Sequence, residues 1–148
     1  MNRNIFFALI TGILIMTGIA AGAQTQVEPW NTAQLISTGR LSDILKSDSA
    51  SSPLVISVGP SAVIKGSVDA GAAHEKQHLA QLKKILSGES KSREVIIYCG
   101  CCPFDRCPNI RPAFSLLKQM GFSNAKLLDV PKNIKADWID KGYPINEE

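Results

Sequence analysis

The stretch from Glu94 to Ala113, EVIIYCGCCPFDRCPNIRPA, constrains this chain more than any other. Val95 to Tyr98 is an apolar, β-branched run with the composition of a buried strand. It stops at Cys99, and all four cysteines of the chain, Cys99, Cys101, Cys102 and Cys107, then fall within nine positions. Pro103, Pro108, Pro112, Arg106 and Arg111 share the segment. In the FSLLKQM that follows, Leu116, Leu117 and Met120 recur at helical spacing. Proline suits a first helical turn, so Pro112 predicts a helix starting near Ile110 or Arg111, and Gly121 is its expected stop. The plan is strand, cysteine-rich loop, helix. The free N–H groups at a helix start favour an anion, here a thiolate. A cysteine held there has a lowered pKa and is reactive.

The N-terminus is of another kind. Residues MNRN carry one positive charge, IFFALITGILIMTGIA is continuously apolar, and AGA precedes Gln24. This is the pattern of a secretory signal cut after Ala23, so residues 1–23 are read as the signal and 24–148 as the mature domain. About 125 residues are enough for one domain with its own core. No stable membrane span is expected after cleavage, and the expected location is periplasmic or secreted. There the loop cysteines meet an oxidising environment, where they must be protected, paired, metal-bound or used. Without Arg3 the chain has fifteen basic and thirteen acidic side chains, and aromatics do not interleave with the lysines. That argues against nucleic acid as a partner.

Read in order, Thr32 to Lys46 holds two short helical patterns, AQLI and LSDILK, with Gly39 between them. Leu54 to Val58 is a short buried-strand candidate closed by Gly59-Pro60, and AVIKGSV follows as a brief strand and turn. His74 to Leu86 is helical, with Leu79, Leu82, Ile85 and Leu86 on one face. After the Cys loop and its helix, Ala125 to Leu128 is a strand, and Pro131 to Lys141 a last helix carrying Trp138. Strands alternating with helices predict an α/β domain with a mainly parallel sheet flanked by helices. Ligands of such sheets sit beyond the carboxyl ends of the strands, where Cys99 lies.

VIIYC, a loop, a helix ending in Gly121-Phe122, and W-x-x-x-G-Y-P from Trp138 to Pro144 together resemble the rhodanese-like domain. LVISV resembles its first core strand, and Ile64 to Val68 the segment after it. The resemblance spans roughly residues 30–145. It implies an α/β sulfurtransferase whose loop cysteine takes a sulfane sulfur as a persulfide and passes it to a thiol or cyanide. By position that cysteine is Cys99. The implied partners are a small sulfur-containing substrate or a thiol acceptor protein, with no cofactor and no resident metal. In the family the cysteine is followed by four residues and an arginine. Counting back from Gly121-Phe122, that arginine position falls on Asn109, so this loop is about five residues longer. Arg106 or Arg111 is the expected replacement charge for binding substrate. Cys101 to Arg106 also fits cysteine-x4-arginine, which makes Cys101 a second candidate nucleophile. The acidic residue and arginine usual near the first strand are replaced by Ser57 and Gly59.

Cys101, Cys102 and Cys107 have three open readings. They form a disulfide or redox pair, with Cys101 or Cys102 joined to Cys107; they bind a soft ion such as Cu(I) or Zn(II); or they remain free thiols. C-x-C-C-x4-C is not the paired C-x2-C of zinc ribbons. The corresponding alternative functions are a periplasmic thiol–disulfide redox protein and a non-catalytic metal- or partner-binding module. His74 to His78, HEKQH, matches H-E-x-x-H in form only, because Gln81 and Lys84 fill the later positions of the extended motif. Trp138 and Tyr143 are read as packing residues.

Overall fold

The computed structural model of the chain describes residues 27–47 and 52–147. The expected secretory signal, residues 1–23, lies outside them. The described residues form an α/β domain around one five-stranded sheet. The strands are β1 (Leu35–Ser37), β2 (Leu54–Ser57), β3 (Val68–Asp69), β4 (Val95–Tyr98) and β5 (Ala125–Asp129). Their order across the sheet is β1-β5-β4-β2-β3, and every pair is parallel. The helices are α1 (Thr38–Lys46), α2 (Lys76–Ser87), α3 (Ile110–Gln119) and α4 (Ile134–Asp137). The parallel α/β architecture expected from the alternation of strands and helices is the one observed.

The strand period of two divides the core. Leu54, Ile56, Val58, Val95, Ile97 and Cys99 face α2 and α3, meeting Leu82, Leu86, Phe114 and Leu117. Val55, Ile96 and Tyr98 face the other way, with Leu41 of α1 and Trp138. Both faces are covered, so all four residues of β2 and of β4 are buried. That is why these strands read as unbroken apolar runs rather than alternating ones.

α3 starts at Ile110, as Pro112 predicts, and Gly121 follows it at φ 81°, in the left-handed region that a helix C-terminus uses. Its buried row is Ile110, Ala113, Phe114 and Leu117, whereas Leu116 and Met120 flank the core.

Three segments differ from expectation. AQLI is not helical: Thr32–Gln34 is a 3-10 turn, and Leu35–Ser37 is the edge strand β1, paired with Leu127 to Asp129. A pairing with β5, far along the chain, overrides a local helical pattern. Gly39 lies inside α1, and Ser37 caps that helix by accepting a hydrogen bond from the Arg40 N–H. The last helix is split. Asn133 caps α4, which ends at Asp137, and a 3-10 turn covers Ile139–Lys141. Trp138, at φ −131° between the two, is wholly buried and donates its indole N–H to the Pro144 carbonyl at 2.9 Å. Tyr143 packs edge-on against it at 5.2 Å. No helix among the described residues is long and apolar enough to cross a membrane.

Candidate functional site

From β2 the chain moves outward to β3 on one side of the sheet; from β4 it moves outward to β5 on the other. The order of connection therefore reverses between β2 and β4. A parallel sheet opens a crevice at such a point, beyond the strand carboxyl ends. Gly59 follows β2 and Cys99 follows β4, so the two loops meet there. A Cβ on Gly59 would stand 2.8 Å from Cys99 Sγ and 3.4 Å from its Cα. Glycine is required by this approach of backbone to sulfur. Ser57 builds the turn: its hydroxyl donates to the Ser61 carbonyl at 2.8 Å and accepts from the Gly59 N–H at 3.4 Å. Ser57 and Gly59 thus shape the wall beside the thiol.

Cys99 is only 1% exposed. Asn109, at the N-cap position of α3, does not cap its helix by a side-chain hydrogen bond. Instead its amide nitrogen donates to Cys99 Sγ at 3.4 Å. Its oxygen accepts from the His74 backbone N–H at 3.0 Å and from His74 Nδ1 at 2.7 Å. A carboxamide oxygen only accepts, so Nδ1 carries the proton. His74 is brought there because the Ala73 N–H bonds the Val58 carbonyl, pinning the segment before α2 beside the end of β2. His74 precedes α2 and His78 lies within it, so the HEKQH histidines do not share a helix face.

The other thiols gather around Cys99. The Sγ atoms of Cys99, Cys101 and Cys107 lie within 4.8 Å of one another, a spacing that one soft ion could bridge. Cys101 Sγ is 3.3 Å from Cys99 Sγ and 2.9 Å from Cys102 Sγ. None of the four cysteines is in a disulfide. Cys107 is buried, Cys102 half-buried and Cys101 exposed. Hydrogen bonding from the Cys107 thiol, against opposing burial and with help from Asn109 and from the Cys101 N–H and thiol, pulls the Cys99 pKa down to about 5. Burial, then the contacts with Cys102 and Cys99, pushes Cys101 up to about 12. Cys107 is raised as well, chiefly because its proton is held by Cys99. The cluster thus favours negative charge on Cys99 ahead of its neighbours.

The loop is held at both ends. Gly100 offers its carbonyl to the Ile134 N–H at 3.0 Å, and a Cβ there would meet Ile134 at 2.8 Å. The Phe104 N–H bonds the Val130 carbonyl at 3.1 Å, and Phe104 packs on Trp30. Arg106 is exposed on the 3-10 turn Phe104–Arg106. Arg111 is committed elsewhere: it pairs with Glu28, donates to the Asp105 carbonyl at 2.7 Å and lies over the Trp30 ring. The structure therefore gathers Cys99, Cys101, Cys102 and Cys107 and leaves the two arginines outside the thiol cluster's hydrogen bonds. Asn109, Gly59 and His74 join the site without having been singled out as site residues. Asn109 had a signal, since it occupies the counted arginine position; His74 had none beyond a motif with another meaning.

No protein-family model matches this chain, and no curated protein matches it. Three similar solved structures are variants of EanB in complex with hercynine, with TM-scores of 0.55, 0.55 and 0.54 and 17% identity. Each match covers 77% of this chain and 27% of the EanB chain. At that identity the likeness concerns the fold alone.

Proposed function

We propose that the chain is an exported, single-domain rhodanese-like sulfurtransferase that carries sulfane sulfur as a persulfide on Cys99. The observation that carries this reading is the Cys99 sulfur itself. It sits at the switch point of a parallel sheet, favoured as a thiolate first by the Cys107 thiol, then by Asn109 and by the Cys101 N–H. A low-pKa thiolate in a fixed cradle is the nucleophile that persulfide chemistry needs.

In the first half-reaction the Cys99 thiolate attacks the outer sulfur of a donor. A new S–S bond forms, the donor's bond to that sulfur breaks, and the leaving group departs with the electron pair; from thiosulfate this is sulfite. In the second, a thiophilic acceptor attacks the outer sulfur and the Cys99 thiolate is released. Asn109 offers a neutral donor where the family places an arginine. The site therefore has less positive charge for a dianion such as thiosulfate, and organic persulfide donors of lower charge suit it better. Arg106 is the loop cation free to meet an anionic group.

A second reading is a thiol–disulfide redox protein, favoured by the short contact of Cys101 with Cys99. Thiocyanate formation from polysulfide and cyanide separates the two. Sulfur transfer predicts turnover that Cys99→Ser abolishes. No turnover, with a reversible loop disulfide of defined reduction potential, supports the redox reading instead.

A further inference from the structure

We propose that Cys101 is a relay: sulfane sulfur loaded on buried Cys99 passes to exposed Cys101, which delivers it to a cysteine thiol on a partner protein. This rests on the persulfide reading of Cys99. Two sulfurs run from the interior to the surface. Cys99 is 1% exposed, Cys101 is exposed, and their Sγ atoms are 3.3 Å apart. A small nucleophile needs far less of the cover over Cys99 to open than a protein does. A thiol on a folded protein cannot approach an atom so covered without opening a loop tied down at Gly100 and Phe104. A sulfur added to Cys99 lies about 2 Å from Sγ. In its Cys101-facing orientation that sulfur stands between the two, so Cys101 must draw back from its 3.3 Å contact to lie in line for attack.

The step balances without an outside oxidant or reductant. Cys101 gives its proton to the outer sulfur of the Cys99 persulfide anion. The resulting Cys101 thiolate attacks that same sulfur. The Cys101–sulfur bond forms, the Cys99–sulfur bond breaks, and its electron pair stays on Cys99 as thiolate. Passage from Cys99 to Cys101 follows the path from buried to exposed sulfur, and the lowered pKa of Cys99 makes it the better leaving group of the two. Cys102 is a poor trap for the relayed sulfur despite its 2.9 Å contact with Cys101. Adjacent Cα atoms are about 3.8 Å apart, below the separation an ordinary disulfide takes. The sulfur on Cys101 is therefore left for an external acceptor.

The test loads wild-type protein, Cys101→Ser and Cys101→Ala with polysulfide. Single-turnover discharge is then followed to cyanide and to reduced thioredoxin as a protein thiol. The relay predicts that both variants load Cys99 and that the ratio of protein-thiol rate to cyanide rate falls at least about tenfold. Peptide mapping of loaded wild type finds part of the sulfur on Cys101. An unchanged ratio, with both rates intact or lowered together, overturns the relay and leaves Cys99 chemistry standing. If wild-type Cys99 never takes up sulfur, the underlying reading falls and the relay with it.

Discussion

Asn109 reaches across from the start of α3 and donates its amide to the Cys99 sulfur at 3.4 Å, while both hydrogen bonds to its oxygen come from His74. The residue is 4% exposed, so these bonds are made away from water. Removing it strips the thiolate of a donor and leaves the His74 N–H groups without their acceptor. Asn109→Ala is expected to raise the Cys99 pKa and to destabilise the fold by about 1–3 kcal/mol. Asn109→Asp raises the pKa further, because a carboxylate repels the thiolate. Thiolate absorbance against pH reads both shifts, and an unmoved midpoint in both variants would remove Asn109 from the site.

The same absorbance in the wild type should show one thiolate appearing near pH 5, well below an ordinary thiol at about 8.5. The linked stability follows in sign. Cys99 has a folded pKa below its unfolded one. Its contribution is complete above about pH 8.5 and is lost as pH falls toward 5. Cys101 and Cys107 are raised, so they act oppositely and lower stability above about pH 8.5, where their unfolded forms ionise. Chemical denaturation across this range should show stability rising from pH 5 to 8, and Cys99→Ser should flatten that rise.

Gly59→Ala places a methyl group 2.8 Å from Cys99 Sγ with backbone behind it. Either the sulfur or the β2 turn must move. The expected cost is about 1–3 kcal/mol of stability. Displacing the nucleophile should also lower sulfur transfer by about a hundredfold. Full activity in a folded variant would mean that the Gly59 side of the sulfur is not constrained.

Tyr98 tests the scaffold rather than the chemistry. Its hydroxyl accepts from the Val63 N–H at 2.9 Å and the Ile64 N–H at 3.2 Å, and pairs with Ser67 at 3.1 Å. Tyr98→Phe orphans these donors, two of them on backbone, and should cost about 1–3 kcal/mol. Cys99 is the next residue but points to the other face of the sheet, so its pKa should move little. A shift as large as that of Asn109→Ala would tie the two faces together.

The parts of the fold written in local pattern were legible in the sequence. Val95 to Tyr98 and Leu54 to Ser57 are buried on both faces, and their unbroken apolar runs say so. Pro112 and Gly121 mark the ends of α3. β1 was not legible, because Leu35 and Ile36 are made into a strand by Leu127 and Leu128, not by their neighbours. The split at Trp138 is likewise imposed by the burial of its ring against the returning tail. In the site, the clustering of the four cysteines in sequence announced their clustering in space. The roles of Arg111 and His74 did not show, since each is decided by a partner far along the chain: Glu28 for the first and Asn109 for the second.

Sulfur carried by Cys99 is measured by intact-mass spectrometry of the purified protein, with and without a sulfane donor and then reductant. The prediction is a gain of one sulfur atom that reductant removes, that peptide mapping assigns to the segment containing Cys99, and that Cys99→Ser lacks. Uptake undiminished in Cys99→Ser, or no uptake from thiosulfate or polysulfide together with the hydrogen loss of a loop disulfide, would contradict it.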